Sequence, residues 1–307
     1  GATPPVPAVP TRPRIQFSIN KVPESVMSQS ASWGDGGPAN SLTQVVKKNK
    51  SSAQLIGAKE ALKEKLLDAV MQQAMEEVGS PDSIANQAFT KLGADPEVRL
   101  IVLTGAGKAF SAGADINWMR AMIGSGESEN QDDALRLAGL MARLDGVAKP
   151  TLARVNGPAI GGGVGLVACC DIAVASTDAR FGLSEVRLGL VPAVISPYVV
   201  AAIGRRNARR LFLTGEVLNA KQARRAGLVH EIAKPSNFNA AVEDQVAQLL
   251  LGGPIAQSEA KQLVRDVTSP QFSPEQLQKH TAALIARMRV SAEGQEGLGA
   301  FLEKRKA

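Results

Sequence analysis

"VNGPAIGGGVGLVACCDIAVA" runs from Val155 to Ala175 and sets three consecutive glycines, Gly161–Gly163, between two apolar runs. Glycine loses more conformational freedom on folding than any other residue, so a triplet weakens any helix or strand that holds it. Bare backbone must therefore do something there that a side chain would obstruct. A phosphate-binding loop would need Gly-Lys-Ser/Thr after its spacer, and none is present. "GVGLVA" (163–168) does fit G-x-G-x-x-A, with Glu185 about twenty residues further on. A dinucleotide unit, however, needs a crossover of at least about ten to twelve residues before its next strand. Here "DIAVAS" begins six residues after Gly165. The other reading is an anion hole. A helix N-terminus offers unpaired N–H groups and a partial positive charge, and glycines let a ligand approach them closely.

A second turn of the same kind stands upstream, at "FSAGAD" (110–115). It follows the buried-strand pattern "RLIVLTG" (99–105) and enters a helix near Asp115, which suits a helix cap. Two such corners, each offering an N–H, could grip one oxygen as charge develops on it; either corner alone reads sooner as tight packing. Around them the pattern alternates. "DDALRLAGLMARLDGVAKP" reads as a helix ending before Pro150, and "TLARVNG" (151–157) as a strand. After the triplet come a short helix, the strand "DIAVAS" (171–176), and a strand-and-loop stretch "ARFGLSEVRLGLVP". "YVVAAIGRRNARRLFLTG" and "NAKQARRAG" are helical, "LVHEIA" is a strand, and the pattern from 236 onward is helical. Buried strands separated by helices indicate an α/β fold with much parallel pairing.

The start of the chain is different. Residues 2–13 are proline-rich and expected to be extended or disordered. "RIQFSIN" (14–20) could be a strand, 22–57 carry no assignable pattern, and 58–79 read as a strong helix. A second helix follows, with Ser80 or Asp82 as cap and Gly93 as stop.

Composition narrows the function. The chain has 307 residues, 44% hydrophobic and 21% charged, with a formal net charge of +6. The modest positive excess suits an anionic ligand, nucleic acid or a membrane surface. Aromatics are only 4% and no cationic cluster interleaves with them, which argues against a nucleic-acid module. No apolar run is long enough to cross a membrane, and no secretory leader is seen. Cys169 and Cys170 are adjacent in an apolar run and read as core residues of a reducing compartment, bacterial cytoplasm or mitochondrial matrix. His230 and His280 lie far from them, so no metal site is indicated.

Four blocks in order, "KAFSAGADINWM", "KPTLARVNGPAIGGGVGLVACCDIAVAS", "ARFGLSEVRLGLVP" and "EGLGAFLEKRK", resemble the enoyl-CoA hydratase/isomerase (crotonase) superfamily over about residues 95–307. The wording of the second and third is most similar to the methylglutaconyl-CoA and carboxygeranoyl-CoA hydratase branch. The resemblance implies a crotonase-like spiral of ββα units: an atypical segment 1–94, a core 95–235, and a helical region 236–307 that helps trimerise. It implies that the N–H groups of Ala112 and Gly162 form an oxyanion hole for a thioester carbonyl. Ala112, Gly113, Ala114 and Asp115 would line the acyl and pantetheine path. Phe301 and Lys304 would meet the CoA nucleotide, often that of a neighbouring subunit in a trimer or hexamer. CoA would arrive with the substrate, and no metal or redox cofactor is implied. Fatty acid or leucine catabolism is the implied setting.

The usual family hydratase has two glutamates, and this chain keeps only Glu185; Gly165 stands at the other position. Glu185 could serve as base and then acid in hydration, or shuttle a proton between C2 and C4 as an isomerase. The missing side chain at Gly165 suggests room for a branched or longer acyl group. A far carboxylate on that group would want a cation, with Arg120 and Arg187 as candidates beside the ordinary reading of surface arginines. Family members usually hold CoA with an N-terminal segment that "INKVPES" (19–25) echoes only faintly, which together with Gly165 keeps a non-catalytic scaffold as a rival; the resemblance to this branch, one mitochondrial member of which binds RNA, keeps RNA binding as another.

Overall fold

The computed structural model of the chain describes residues 44–47, 81–105, 107–113, 119–120 and 122–305, with backbone alone for 44–47 and 81–84. The expected strand 14–20 and helix 58–79 lie outside the described residues. A five-stranded sheet has the order β1 (Gln44–Lys47), β2 (Val98–Thr104), β3 (Thr151–Val155), β5 (Ile172–Ser176), β8 (Glu231–Ala233). β2, β3, β5 and β8 are parallel, and β1 closes one edge antiparallel to β2. The registers Leu103↔Ala153 and Ala153↔Ala173 align the three central strands.

Successive side chains on a strand point to opposite faces, and both faces here are covered. Ile101, Leu103, Ala153, Val155, Ala173 and Ala175 enter the larger core with α1 (Pro81–Ala94), α2 (Glu127–Gly146), α3 (Gly162–Cys169) and α4 (Ser196–Thr214). Leu100, Val102, Leu152 and Val174 face the other way, against Phe238, Val242 and Val246 of α6 (Phe238–Leu251). This is why the central strands read as unbroken apolar runs. Asp82, an expected cap, lies inside α1, whose first residue is Pro81; proline at the start of a helix gives up an N–H that has no partner there anyway.

A smaller sheet stands beside the first. Its order is β4 (Ala159–Ile160), β6 (Arg180–Gly182), β7 (Val217–Asn219), and Ser111 joins its edge through a parallel bridge to Ala159. The chain thus repeats one path: a strand in the large sheet, a short strand in the small one, then a helix. β3–β4–α3 and β5–β6–α4 follow it fully, and β2 followed by Ser111 starts it. The expected α/β spiral of ββα units is the observed architecture.

α5 (Ala220–Ala226) leads into β8, and α7 (Pro254–Thr268), α8 (Pro274–Val290) and α9 (Ala292–Leu302) complete the chain. α7 is tied to the sheet by Asp171, whose Oδ2 accepts from Lys261 Nζ at 2.8 Å and from Thr151 N and Oγ1 at 2.7 and 2.8 Å. α4, which the sequence pattern reads as helical, is broken at Gly204 (φ 73°, ψ 156°). Cys169 and Cys170 are buried free thiols, and desolvation pushes both well above the usual thiol range, so neither is a nucleophile. His230 Nδ1 accepts from Ala173 N at 3.0 Å, and His280 pairs with Asp266 at 2.7 Å. No helix among the described residues is long and apolar enough to cross a membrane.

Candidate active site

Three chain-distant turns leave the small sheet side by side. Ser111 N donates to Pro158 O and Ile160 N donates to Ser111 O, both at 3.0 Å. Gly161 N donates to Gly182 O at 2.8 Å. The residues that follow these exits, Ala112–Gly113, Gly161–Gly163 and Leu183–Glu185, are therefore neighbours by main-chain bonding. The sequence set them apart by up to seventy-odd residues; the sheet brings them together.

The glycine triplet performs two tasks here. Gly161 has φ +54° and ψ −120°, a conformation that L side chains rarely adopt, and it turns the chain from β4 into α3. Its carbonyl caps the new helix, accepting from Val164 N at 2.9 Å. Gly163 is a close approach: a Cβ there would lie 2.6 Å from Ser111 Cβ and 2.9 Å from Ser111 Oγ. The first and second turns touch at this point. Among the described residues, nothing accepts a hydrogen bond from the N–H of Ala112 or of Gly162. Gly162 is the first residue of α3, where the helix's unpaired amides and partial positive charge lie. Ala112 is exposed and Gly162 half-buried.

Glu185 begins a short 3₁₀ turn, Glu185–Leu188, closed by Gly189 in the left-handed region. Leu190 N donates to the Glu185 carbonyl at 3.0 Å, which fixes the loop's return. The carboxylate lies over the glycine turn: Oε1 is 3.3 Å from where a Cβ on Gly161 would stand. Oε2 is buried and has no hydrogen-bond partner among the described residues. Desolvation pushes this carboxyl above the ordinary glutamate range, offset in part by its own backbone N–H. A poorly solvated carboxylate with a free oxygen, beside two unengaged amides, can take a proton from one atom and return it to another.

Of the expected site residues, Ala112, Gly113, Gly162 and Glu185 come together; Ala114 and Asp115 lie outside the described residues. Phe301 and Lys304 sit at the end of α9, both exposed, on a helix that packs against α7 and α8. Arg120 is exposed. Arg187 lies along the turn after α4, its Nε 3.1 Å from where a Cβ on Gly215 would stand.

The reading of Gly165 is corrected. The missing side chain leaves no room: a Cβ there would stand 2.3 Å from Ile195 Cγ2 and 3.2 Å from Met141 Cε. Ile195, 3% exposed, fills the space where a second carboxylate would begin. Sequence reasoning also passed over Ser111, whose main chain joins the first two turns. Its signal was its place, the last residue before the glycine-containing corner.

Comparison with known proteins identifies the family. The model of the enoyl-CoA hydratase/isomerase family matches residues 82–307. The crystal structure of an enoyl-CoA hydratase from Shewanella pealeana superposes with a TM-score of 0.70 at 42% identity, covering 74% of this chain and 84% of that one. The crotonyl-CoA hydratase of Syntrophomonas wolfei is 33% identical over 72% of this chain and 84% of its own length. The 2,3-dehydroadipyl-CoA hydratase of Escherichia coli is 34% identical over 69% of this chain and 80% of its own. With the family pattern matched over most of its length and these relatives on either side, the chain belongs to the enoyl-CoA hydratase/isomerase family.

Proposed function

We propose that the chain hydrates the 2,3 double bond of an enoyl-CoA thioester through Glu185 and the main-chain amides of Ala112 and Gly162. The observation that carries this reading is the Glu185 carboxylate lying against Gly161 with one oxygen unpartnered. The thioester oxygen sits between the two amides. Glu185 takes a proton from water as the water oxygen bonds to C3. The π electrons move onto the thioester oxygen as an enolate, held by the amides. The protonated Glu185 then gives its proton to C2, the enolate collapses, and water has been added with the carboxylate restored. Each oxyanion donor of this kind is worth about 2.7–4 kcal/mol in the transition state. The positioned acid/base adds about 10²–10⁴-fold.

The acyl group we favour is 3-methylglutaconyl-like, ending in a second carboxylate. Support comes from the sequence wording around the triplet and from the Escherichia coli relative, whose name is that of a dicarboxylic acyl-CoA. Phe301 and Lys304 would meet the nucleotide of CoA, and the exposed apolar side chains Leu188, Val191, Leu213 and Val217 fit burial against further copies in a trimer.

Ile195 in the place of a second carboxylate favours one other reading, an isomerase in which Glu185 alone moves a proton from C2 of a 3-enoyl-CoA to C4. Crotonyl-CoA, 3-methylglutaconyl-CoA and a 3-enoyl-CoA separate the two. Hydration of the first pair is expected, with Glu185→Gln lowering turnover by about 10²–10⁴-fold while CoA-ester affinity is kept. Isomerisation with no hydration, or full turnover in the variant, overturns the assignment.

A further inference from the structure

The chain's surplus of positive charge is local. "RRNARRLFLTGEVLNAKQARR" (205–225) holds six arginines and one lysine against a single acid, Glu216, a formal +6. That equals the whole chain's net charge, so everything outside the stretch is formally neutral. All seven cations are exposed on α4 and α5. Among the described residues, one of them has an ion-pair partner: Arg210, whose Nε and Nη2 meet the Glu216 carboxylate at 2.5 and 3.0 Å. The other six form no ion pair among the described residues, and such crowding of like charge works against the folded state.

The two helices enclose a cleft. Gly227, with φ +95°, ends α5, and a Cβ there would lie 3.0 Å from Ala202 O, so α5 ends close against α4. Between them is a cavity of about 300 Å³ lined by Asn207, Arg210, Leu211, Leu218, Gln222 and Arg225. Leu211 and Leu218 are buried and form an apolar base. Gln222 Oε1 accepts from Asn219 N at 2.9 Å, which leaves its NH₂ as the free end. With the Nε and Nη2 of Arg210 engaged by Glu216, the polar wall offers the Arg225 guanidinium and amide N–H groups, and a forked guanidinium donor matches phosphate oxygens two at a time. None of the residues placed around Glu185 takes part.

We propose that this cleft is a second anion site, separate from the thioester site, for a small ligand carrying two or three linked phosphates. Its volume lies at the small end of ligand pockets. An extended nucleic-acid strand fits the surface less well. Phe212, the one aromatic in the stretch, is turned into the core and gives no stacking platform.

Isothermal titration of the full chain with inorganic tripolyphosphate tests this without any thioester, so its outcome is independent of the role given to Glu185. Saturable binding of one anion per chain is expected, weakening as salt rises. Arg225→Glu should lower affinity at least about tenfold, as loss of one charge-assisted contact does, and leave crotonyl-CoA hydration unchanged. Tripolyphosphate should also raise the melting temperature of the unaltered protein. Absence of saturable binding and of that thermal shift overturns the proposal. So does undiminished binding in Arg225→Glu, inhibition of hydration competitive with crotonyl-CoA, or preferential displacement of the anion by single-stranded RNA.

Discussion

Gly163 and Gly165 lie two residues apart in α3, both buried, and neither position has space for a methyl group. What each one meets is different. Gly163 touches Ser111, a residue of another turn of the site, so its missing side chain sets the distance between two amide-bearing corners. Gly165 touches Ile195 and Met141, so its missing side chain is part of core packing. Under the proposed mechanism, one glycine-rich run therefore has a functional half and a structural half, divided within a single helical turn. A glycine in a sequence reports that a side chain is absent and says nothing of what has taken its place.

The largest expected effect comes from Gly163→Ala. The new Cβ must push Ser111 outward, and the Ala112 amide moves with it. Turnover should fall by about 10²–10³-fold, the loss typical of one oxyanion donor, in a protein whose far-ultraviolet spectrum is unchanged. Adding Ser111→Gly removes the atoms at 2.6 and 2.9 Å and should recover part of the rate. If Gly163→Ala melts early yet keeps full turnover when folded, the two halves of the run are alike.

Gly165→Ala should act on the other quantity. Overpacking against Ile195 is expected to destabilise by about 1–3 kcal/mol in denaturant unfolding, with turnover per folded molecule close to the parent's. Ile195→Ala in the same chain should return most of that stability. A strong rate loss without destabilisation would move Gly165 into the functional half.

A smaller effect belongs to Glu185. Its carboxyl is raised above the usual glutamate range by desolvation, so the folded state holds a proton that the unfolded state has released. Between the ordinary glutamate pKa and the raised one, stability should therefore fall as pH rises. Glu185→Gln removes this dependence and should melt at or above the parent's temperature at neutral pH. A lower melting temperature would mean that the carboxylate is held by favourable partners, against the bare environment seen around Oε2.

Much of the fold is legible in the sequence. β2, β3 and β5 are buried on both faces and announce themselves as apolar runs bounded by Gly, Pro or Asp. β4 and β6, of two and three residues, are too short to show any period; they exist because Ile160 meets Gly182 across the sheet. β1 pairs with residues more than fifty positions away, and its four residues carry little signal of their own. The kink at Gly204 hides in an otherwise helical pattern. At the site, the two corners and Glu185 were readable from glycine placement and family resemblance. The filler at Gly165 was not, because Ile195 stands thirty residues downstream and only folding introduces them.

The bridge of Ser111 to Ala159 and the bond from Gly161 N to Gly182 O stitch the three exits together through peptide groups alone. Short of proline, which removes the N–H, a substitution cannot delete these groups; it can only displace them. In the proposed mechanism the tool that steadies negative charge is thus inherited with the scaffold. The part that would select a reaction is then a single exchangeable acid perched on the rim, and a lineage built this way can trade one chemistry for another without rebuilding the ground beneath it.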